Sequence, residues 1–88
     1  MAKTVLDGVR ILDLSTVLAG PMASMLLADM GAEVIKVERP PEGDEMRHMP
    51  PYFYKGESAY FISVNRNKKS LAIDLKTAKG RNIFLDLV

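Results

Sequence analysis

The sequence predicts an α/β chain built on a parallel sheet, and three observations carry that expectation. Residues 9–15 form a short apolar run with charges at its margins, residues 33–38 alternate polar and apolar side chains, and Gly20-Pro21 opens a run of strong helix formers between them. Strand, turn, helix and strand in that order make one right-handed βαβ unit.

Val9-Arg10-Ile11-Leu12-Asp13-Leu14-Ser15 reads as a strand buried on both faces, as in parallel sheets. A loop over residues 16–19 leads to Pro21, which suits a helix start because its missing N–H would be unpaired there anyway. The helix runs over Pro21–Met30 and stops at Gly31. Ala23, Leu26, Leu27 and Met30 have the spacing of one buried face, which Met22 and Met25 widen. Glu33–Glu38 is the second strand. Pro40, Pro41, Gly43, Pro50, Pro51 and Gly56 make residues 39–57 a long loop, and such loops are usually functional or mobile. Tyr60–Val64 reads as a short strand, followed by a basic turn over Asn65–Lys69 and a third main strand over Ser70–Leu75. Thr77 is a good N-cap for a last helix, with Gly80 its weak point and Ile83, Phe84, Leu87 and Val88 its buried stripe. That stripe has no layer to cover it, and a parallel sheet needs helices on both faces. The expectation is one N-terminal segment, residues 1–88, at the front of a longer chain.

Composition narrows the function classes. With 12 Lys and Arg against 11 Asp and Glu, the net charge of +1 lacks the basic excess of a nucleic-acid binder. Cysteine is absent, which removes disulfides, iron–sulfur sites and thiol nucleophiles. A single histidine, His48, cannot build a multi-histidine metal site, and no metal is expected. An acidic residue, Asp7, interrupts the N-terminus before an apolar leader develops, and no apolar run approaches a membrane span. The expected class is soluble and cytoplasmic, without a membrane partner.

Ligands of open α/β sheets gather at the carboxyl ends of the strands, where free amides and helix dipoles point. The first turn, Leu18-Ala19-Gly20-Pro21, lacks the G-x-G-x-x-G pattern. Glu38 stands where a ribose-binding acid would sit in a dinucleotide site; equally it is a solvated strand end. Arg39, beside it, is placed for a phosphate or is an exposed loop arginine. The three cations of Asn65–Lys69 make an anion site or a solvated loop. Lys76, after the third strand, is open to the same two readings. Asp13 fits an internal hydrogen-bond acceptor better than a general base, and no Ser/His/Asp set is assembled.

Two ordered blocks point further. Leu6-Asp7-Gly8-Val9-Arg10-Ile11-Leu12-Asp13-Leu14, Leu18-Ala19-Gly20-Pro21 and Leu27-Ala28-Asp29-Met30-Gly31-Ala32-Glu33-Val34-Ile35-Lys36-Val37-Glu38 form the first. Gly43-Asp44, Tyr60-Phe61, Asn65-Arg66-Asn67-Lys68-Lys69-Ser70-Leu71, Asp74-Leu75-Lys76 and Gly80-Arg81 form the second. Together they closely resemble the opening of class III CoA-transferases, the family of formyl-CoA transferase, the carnitine CoA-transferase and the related α-methylacyl-CoA racemases.

The resemblance implies that residues 1–88 begin a large Rossmann-like domain, with a smaller domain elsewhere and two chains interlocked as a homodimer. It implies CoA transfer from an acyl-CoA donor to a carboxylic acid through an aspartyl-CoA thioester. The family aspartate lies beyond residue 88, so no catalytic residue is assigned here and the isolated segment is expected to be inactive. Matching positions imply CoA contacts at Leu18, Ala19, Arg39, Ile73, Asp74, Leu75 and Lys76. CoA enters as substrate, and no tightly bound cofactor is implied. Formyl-CoA transferase has glutamine at the position of Leu18, near the acyl group; leucine donates no hydrogen bond there, which favours a larger or less polar acyl group. A racemase on the same scaffold and a truncated, non-catalytic product are the alternatives. The Ala19-Gly20-Pro21 turn and the 65–69 block look more like the transferase branch.

Overall fold

A computed structural model describes residues 4–88; the first three residues of the N-terminal leader reading lie outside the described part. The elements are β1 (Arg10–Asp13), α1 (Ala19–Asp29), β2 (Glu33–Glu38), a 3₁₀ turn (Glu45–His48), β3 (Phe53–Tyr54), β4 (Glu57–Ser58), α2 (Ala59–Val64), β5 (Lys68–Ala72) and α3 (Ala78–Leu87). β1, β2 and β5 form a parallel sheet in that order, with Arg10 opposite Glu33 and Val34 opposite Lys68. β3 and β4 make a separate antiparallel hairpin. The expected βαβ unit is present, with β2 at its predicted bounds.

β2 is the central strand, and Val34, Lys36, Val37 and Glu38 on it are buried. β1 lies at the edge: Arg10 is exposed, and only Asp13 is fully buried, so the two-faced burial read from its apolar run is not met. Ala28, Ala32 and Val34 form the core where α1 meets the sheet, with Leu6 and Ile11 packed against them. α1 begins two residues before Pro21, and its chain leaves the helix through Gly31 at φ +106°.

The face of α1 that meets the sheet shares only Met25 with the predicted one. Pro21, Ser24, Met25 and Ala28 are buried, whereas Met22, Leu26 and Met30 are each 44–50% exposed. Small residues decide this. A Cβ on Gly20 would stand 2.3 Å from Ser15 Cβ, so the helix start approaches the end of β1 as only glycine allows.

Residues 60–64 are helical, not extended. Ser58 Oγ accepts from Tyr60 N at 3.3 Å, and Asn65 Nδ2 donates to the Phe61 carbonyl at 2.9 Å. Caps at both ends, with Val64 driven into the interior, override the β-preference of aromatic and branched residues. The third main strand starts and stops earlier than read, at Lys68 and Ala72. Thr77 caps α3 as expected, its Oγ1 accepting from Gly80 N at 3.0 Å. Gly80 is no mere weak point: a Cβ there would lie 1.9 Å from the Asp74 carbonyl oxygen, so the glycine lets α3 sit against the end of β5. Of the predicted stripe on α3, Ile83 and Val88 are exposed and Phe84 and Leu87 are half-buried.

Candidate functional site

A cavity of about 400 Å³ opens at the carboxyl ends of all three parallel strands. Leu14, Ser15 and Thr16 follow β1, Val37 to Arg39 end β2, and Ile73 to Lys76 follow β5. Gly43, Asp44 and Glu45 close the fourth side from the loop after β2. Three ion pairs hold this rim, two with both side chains buried and a third whose arginine is half-buried.

The first pair is Asp13 and Lys68. Lys68 Nζ donates to Asp13 Oδ2 at 3.0 Å, the Pro21 carbonyl at 2.9 Å and Asn65 Oδ1 at 2.8 Å, which uses all three of its hydrogens. Asp13 also accepts from Ser24 Oγ at 2.6 Å and from the amide and hydroxyl of Ser15. Burial pushes the Asp13 pKa up, but the Ser15, Ser24 and Lys68 donors outweigh it and lower the group to about 2. Asp13 is the internal acceptor that the sequence indicated.

The second pair is Lys36 and Asp44, with side chains 2% and 0% exposed. Lys36 Nζ donates to the Ser15 carbonyl at 3.0 Å and stands 2.9 Å from Asp44 Oδ2, an ion-pair contact that falls short of hydrogen-bond geometry. Asp44 Oδ1 accepts from Met46 N at 2.9 Å and Val17 N at 3.4 Å. One lysine in the central strand thereby ties the loop after β1 to the loop after β2.

The third centres on Glu38, which is not a solvated strand end. It is buried, and Arg47 forks onto it with Nε to Oε1 and Nη2 to Oε2, both at 2.7 Å. Asp44 N donates to Oε1 at 2.9 Å and Ser70 Oγ donates to Oε2. Burial, which raises the Glu38 pKa, is outweighed by Arg47, Ser70 and the Asp44 amide, and the carboxyl is lowered to about 2. The Arg47 guanidinium also lies over the Phe61 ring, 4.0 Å from its centroid.

Of the predicted contacts, Arg39, Ile73, Asp74, Leu75 and Lys76 line the cavity together; Leu18 and Ala19 do not and sit at the start of α1. Ile73 is buried and forms part of the floor. Asp74 is committed to its own turn, its Oδ1 accepting from Lys76 N at 2.9 Å. The side chains of Arg39 and Lys76 make no ion pair or hydrogen bond among the described residues, whereas Glu45 adds an opposing carboxylate to the rim. The basic turn is no anion site: Arg66 pairs with Asp29 at 2.6 Å, Lys69 with Glu33 at 2.9 Å, and Lys68 with Asp13.

Sequence reading missed Lys36, Asp44 and Arg47 as parts of the site. For Lys36 a signal existed, because a lysine in the middle of a central strand is almost never buried unpaired. Arg47 and Asp44 lie in an irregular loop, where spacing carries no such signal.

This is an α/β sheet whose strand ends gather a cavity lined by two cations, Arg39 and Lys76, that have no side-chain partner among the described residues. The model of CoA-transferase family III matches residues 6–88. The chain is 60% identical over 82 residues to the succinyl-CoA:glutarate CoA-transferase of Mus musculus, covering 93% of this chain and 19% of that protein. It is 55% identical over 87 residues to the succinyl-CoA:mesaconate CoA-transferase of Haloarcula hispanica, covering 94% of this chain and 22% of that one. The crystal structure of a CAIB/BAIF family protein from Brucella suis superposes with a TM-score of 0.85 at 41% identity, over 94% of this chain and 23% of that one. The chain belongs to CoA-transferase family III, and it spans about a fifth of the length of these relatives.

Proposed function

We propose that this chain is the N-terminal CoA-binding segment of an enzyme that moves CoA from an acyl-CoA donor to a carboxylic acid. The observation that carries the reading is the cavity at the strand ends, where Arg39 and Lys76 stand without side-chain partners among the described residues and residues 73–76 form one wall. CoA brings a ribose 3′-phosphate and a diphosphate, acceptors that match a guanidinium fork and an ammonium. Relatives named for succinyl-CoA with glutarate or mesaconate point to succinyl-CoA as donor and a short dicarboxylic acid as acceptor. Leu18, which offers no side-chain donor, agrees with an acyl group larger than formyl.

In the proposed reaction an aspartate beyond residue 88 attacks the thioester carbonyl. The C–S bond breaks, CoA leaves as thiolate, and a mixed anhydride forms. The thiolate then attacks the aspartyl carbonyl, which releases the donor acid and leaves an aspartyl-CoA thioester; the acceptor carboxylate repeats the two steps in reverse. This segment holds the CoA moiety through the exchange, in an enzyme that works as an interlocked homodimer.

Incubating the full-length protein with succinyl-CoA and a panel of dicarboxylic acids should produce a new acyl-CoA, read by mass. Epimerisation of a 2-methylacyl-CoA without any exchange would replace this reading with the racemase one. Arg39→Ala should weaken CoA binding by about 1.5–3 kcal/mol, the range for a charge-assisted hydrogen bond. Dephospho-CoA should lose less if the 3′-phosphate is the partner. Equal affinity of variant and wild type for CoA would return Arg39 to the surface.

A further inference from the structure

Arg39 is exposed, on a loop, and its side chain touches no partner among the described residues. A side chain so placed binds an anion well only if its backbone is held. The turn that carries it is closed from within. Gly43 N donates to the Arg39 carbonyl at 2.8 Å, and the next amide, Asp44 N, donates to Glu38 Oε1 at 2.9 Å. Gly43 sits at φ +76°, and a Cβ there would lie 2.6 Å from the same Glu38 oxygen. Arg47, four residues on, grips both Glu38 oxygens, is stacked on Phe61 and reaches Glu57 at 3.4 Å. Glu38 is thus the residue before Arg39 and the anchor on which the far end of Arg39's turn is fastened.

We infer that Arg47, acting through Glu38, is a positioning residue for CoA: it holds the turn over residues 39–44 so that the Arg39 guanidinium faces the cavity. The inference rests on the reading of Arg39 as a CoA contact. Arg47 itself is absent from the cavity lining, so any effect it has on CoA runs through the turn. The fork is the working part. Arg47→Lys keeps the charge and loses the two-point grip that fixes direction.

The test is a double-mutant cycle in the full-length protein, with CoA affinity measured for wild type, Arg39→Ala, Arg47→Lys and the double variant. Arg47→Lys should weaken CoA binding about three- to tenfold when Arg39 is present and less than about twofold when Arg39 is alanine, since residues in one network couple. Arg47→Gln should behave as Arg47→Lys does, and the unfolding midpoint of each variant identifies any that fails to fold. A purely structural role would lower that midpoint and weaken CoA by the same factor in both backgrounds, which would overturn the inference. If Arg39→Ala alone leaves CoA affinity unchanged, the reading of Arg39 fails and nothing remains for Arg47 to position. If Arg39→Ala weakens binding while Arg47→Lys acts equally in both backgrounds, the Arg39 reading stands and only the positioning role falls.

Discussion

Lys36→Met is expected to cost the protein about 3–5 kcal/mol of stability, the usual penalty for leaving one member of a buried pair behind. Lys36 and Asp44 are both sealed from water, and Lys36 Nζ is the cation that faces Asp44 Oδ2. Methionine fills the aliphatic path of lysine, so the loss isolates the charge and not the volume. The midpoint of urea unfolding should drop clearly for Lys36→Met. The variant Lys36→Met with Asp44→Asn should recover a good part of the loss, because asparagine drops the charge yet keeps an oxygen for Met46 N and Val17 N. A Lys36→Met protein within about 1 kcal/mol of wild type, or no recovery in the double variant, would refute the role given to this pair. The functional corollary follows from geometry: Lys36 fastens both loops that wall the cavity, so this substitution should also weaken CoA binding.

Acid should unfold the protein over a window set by two carboxylates. Asp13 falls from an ordinary 3.8 to about 2, and Glu38 from 4.5 to about 2, on folding. A carboxyl with a depressed folded pKa contributes stability in full above its unfolded pKa and loses it as pH falls toward the folded value. Stability is therefore level near neutral pH and declines from about pH 4.5 to about pH 2. Each proton taken up only on unfolding steepens the decline by about 1.4 kcal/mol per pH unit. Urea midpoints at pH 7, 4 and 3 should show this fall, and Glu38→Gln should flatten it by roughly one proton. A wild-type midpoint that stays constant between pH 5 and pH 3 would show that the two pairs do not stabilise the fold.

Both predictions concern pairings that are hard to find in the sequence, and the reason is distance along the chain. Asp13 meets Lys68 55 residues away, and Ser70 reaches Glu38 across 32. A charge run reads locally as a solvated loop; whether Arg66, Lys68 and Lys69 meet water or carboxylates depends on what the fold brings opposite them. The cavity was more legible. Once the strands of a parallel sheet are placed, its carboxyl edge is placed too, and Arg39 with Asp74-Leu75-Lys76 falls on that edge from order alone, whereas Ile73 rests on the resemblance. Leu18 and Ala19 rested on the resemblance, and the cavity does not reach them.

By itself the sequence determined the βαβ unit, the helix stop at Gly31, the Thr77 cap and the family, because each is written in local spacing or in long runs in register. Tertiary structure decided the rest. Tyr60–Val64 is short enough to suit helix or strand, and its caps and the burial of Val64 chose helix. α1 carries apolar residues nearly all round, so periodicity offers no contrast to rank its faces. Ser24, Met25 and Ala28 turned inward because Gly20 and Ser15 bring that side of the helix against β1, a contact that exists only once the chain is folded.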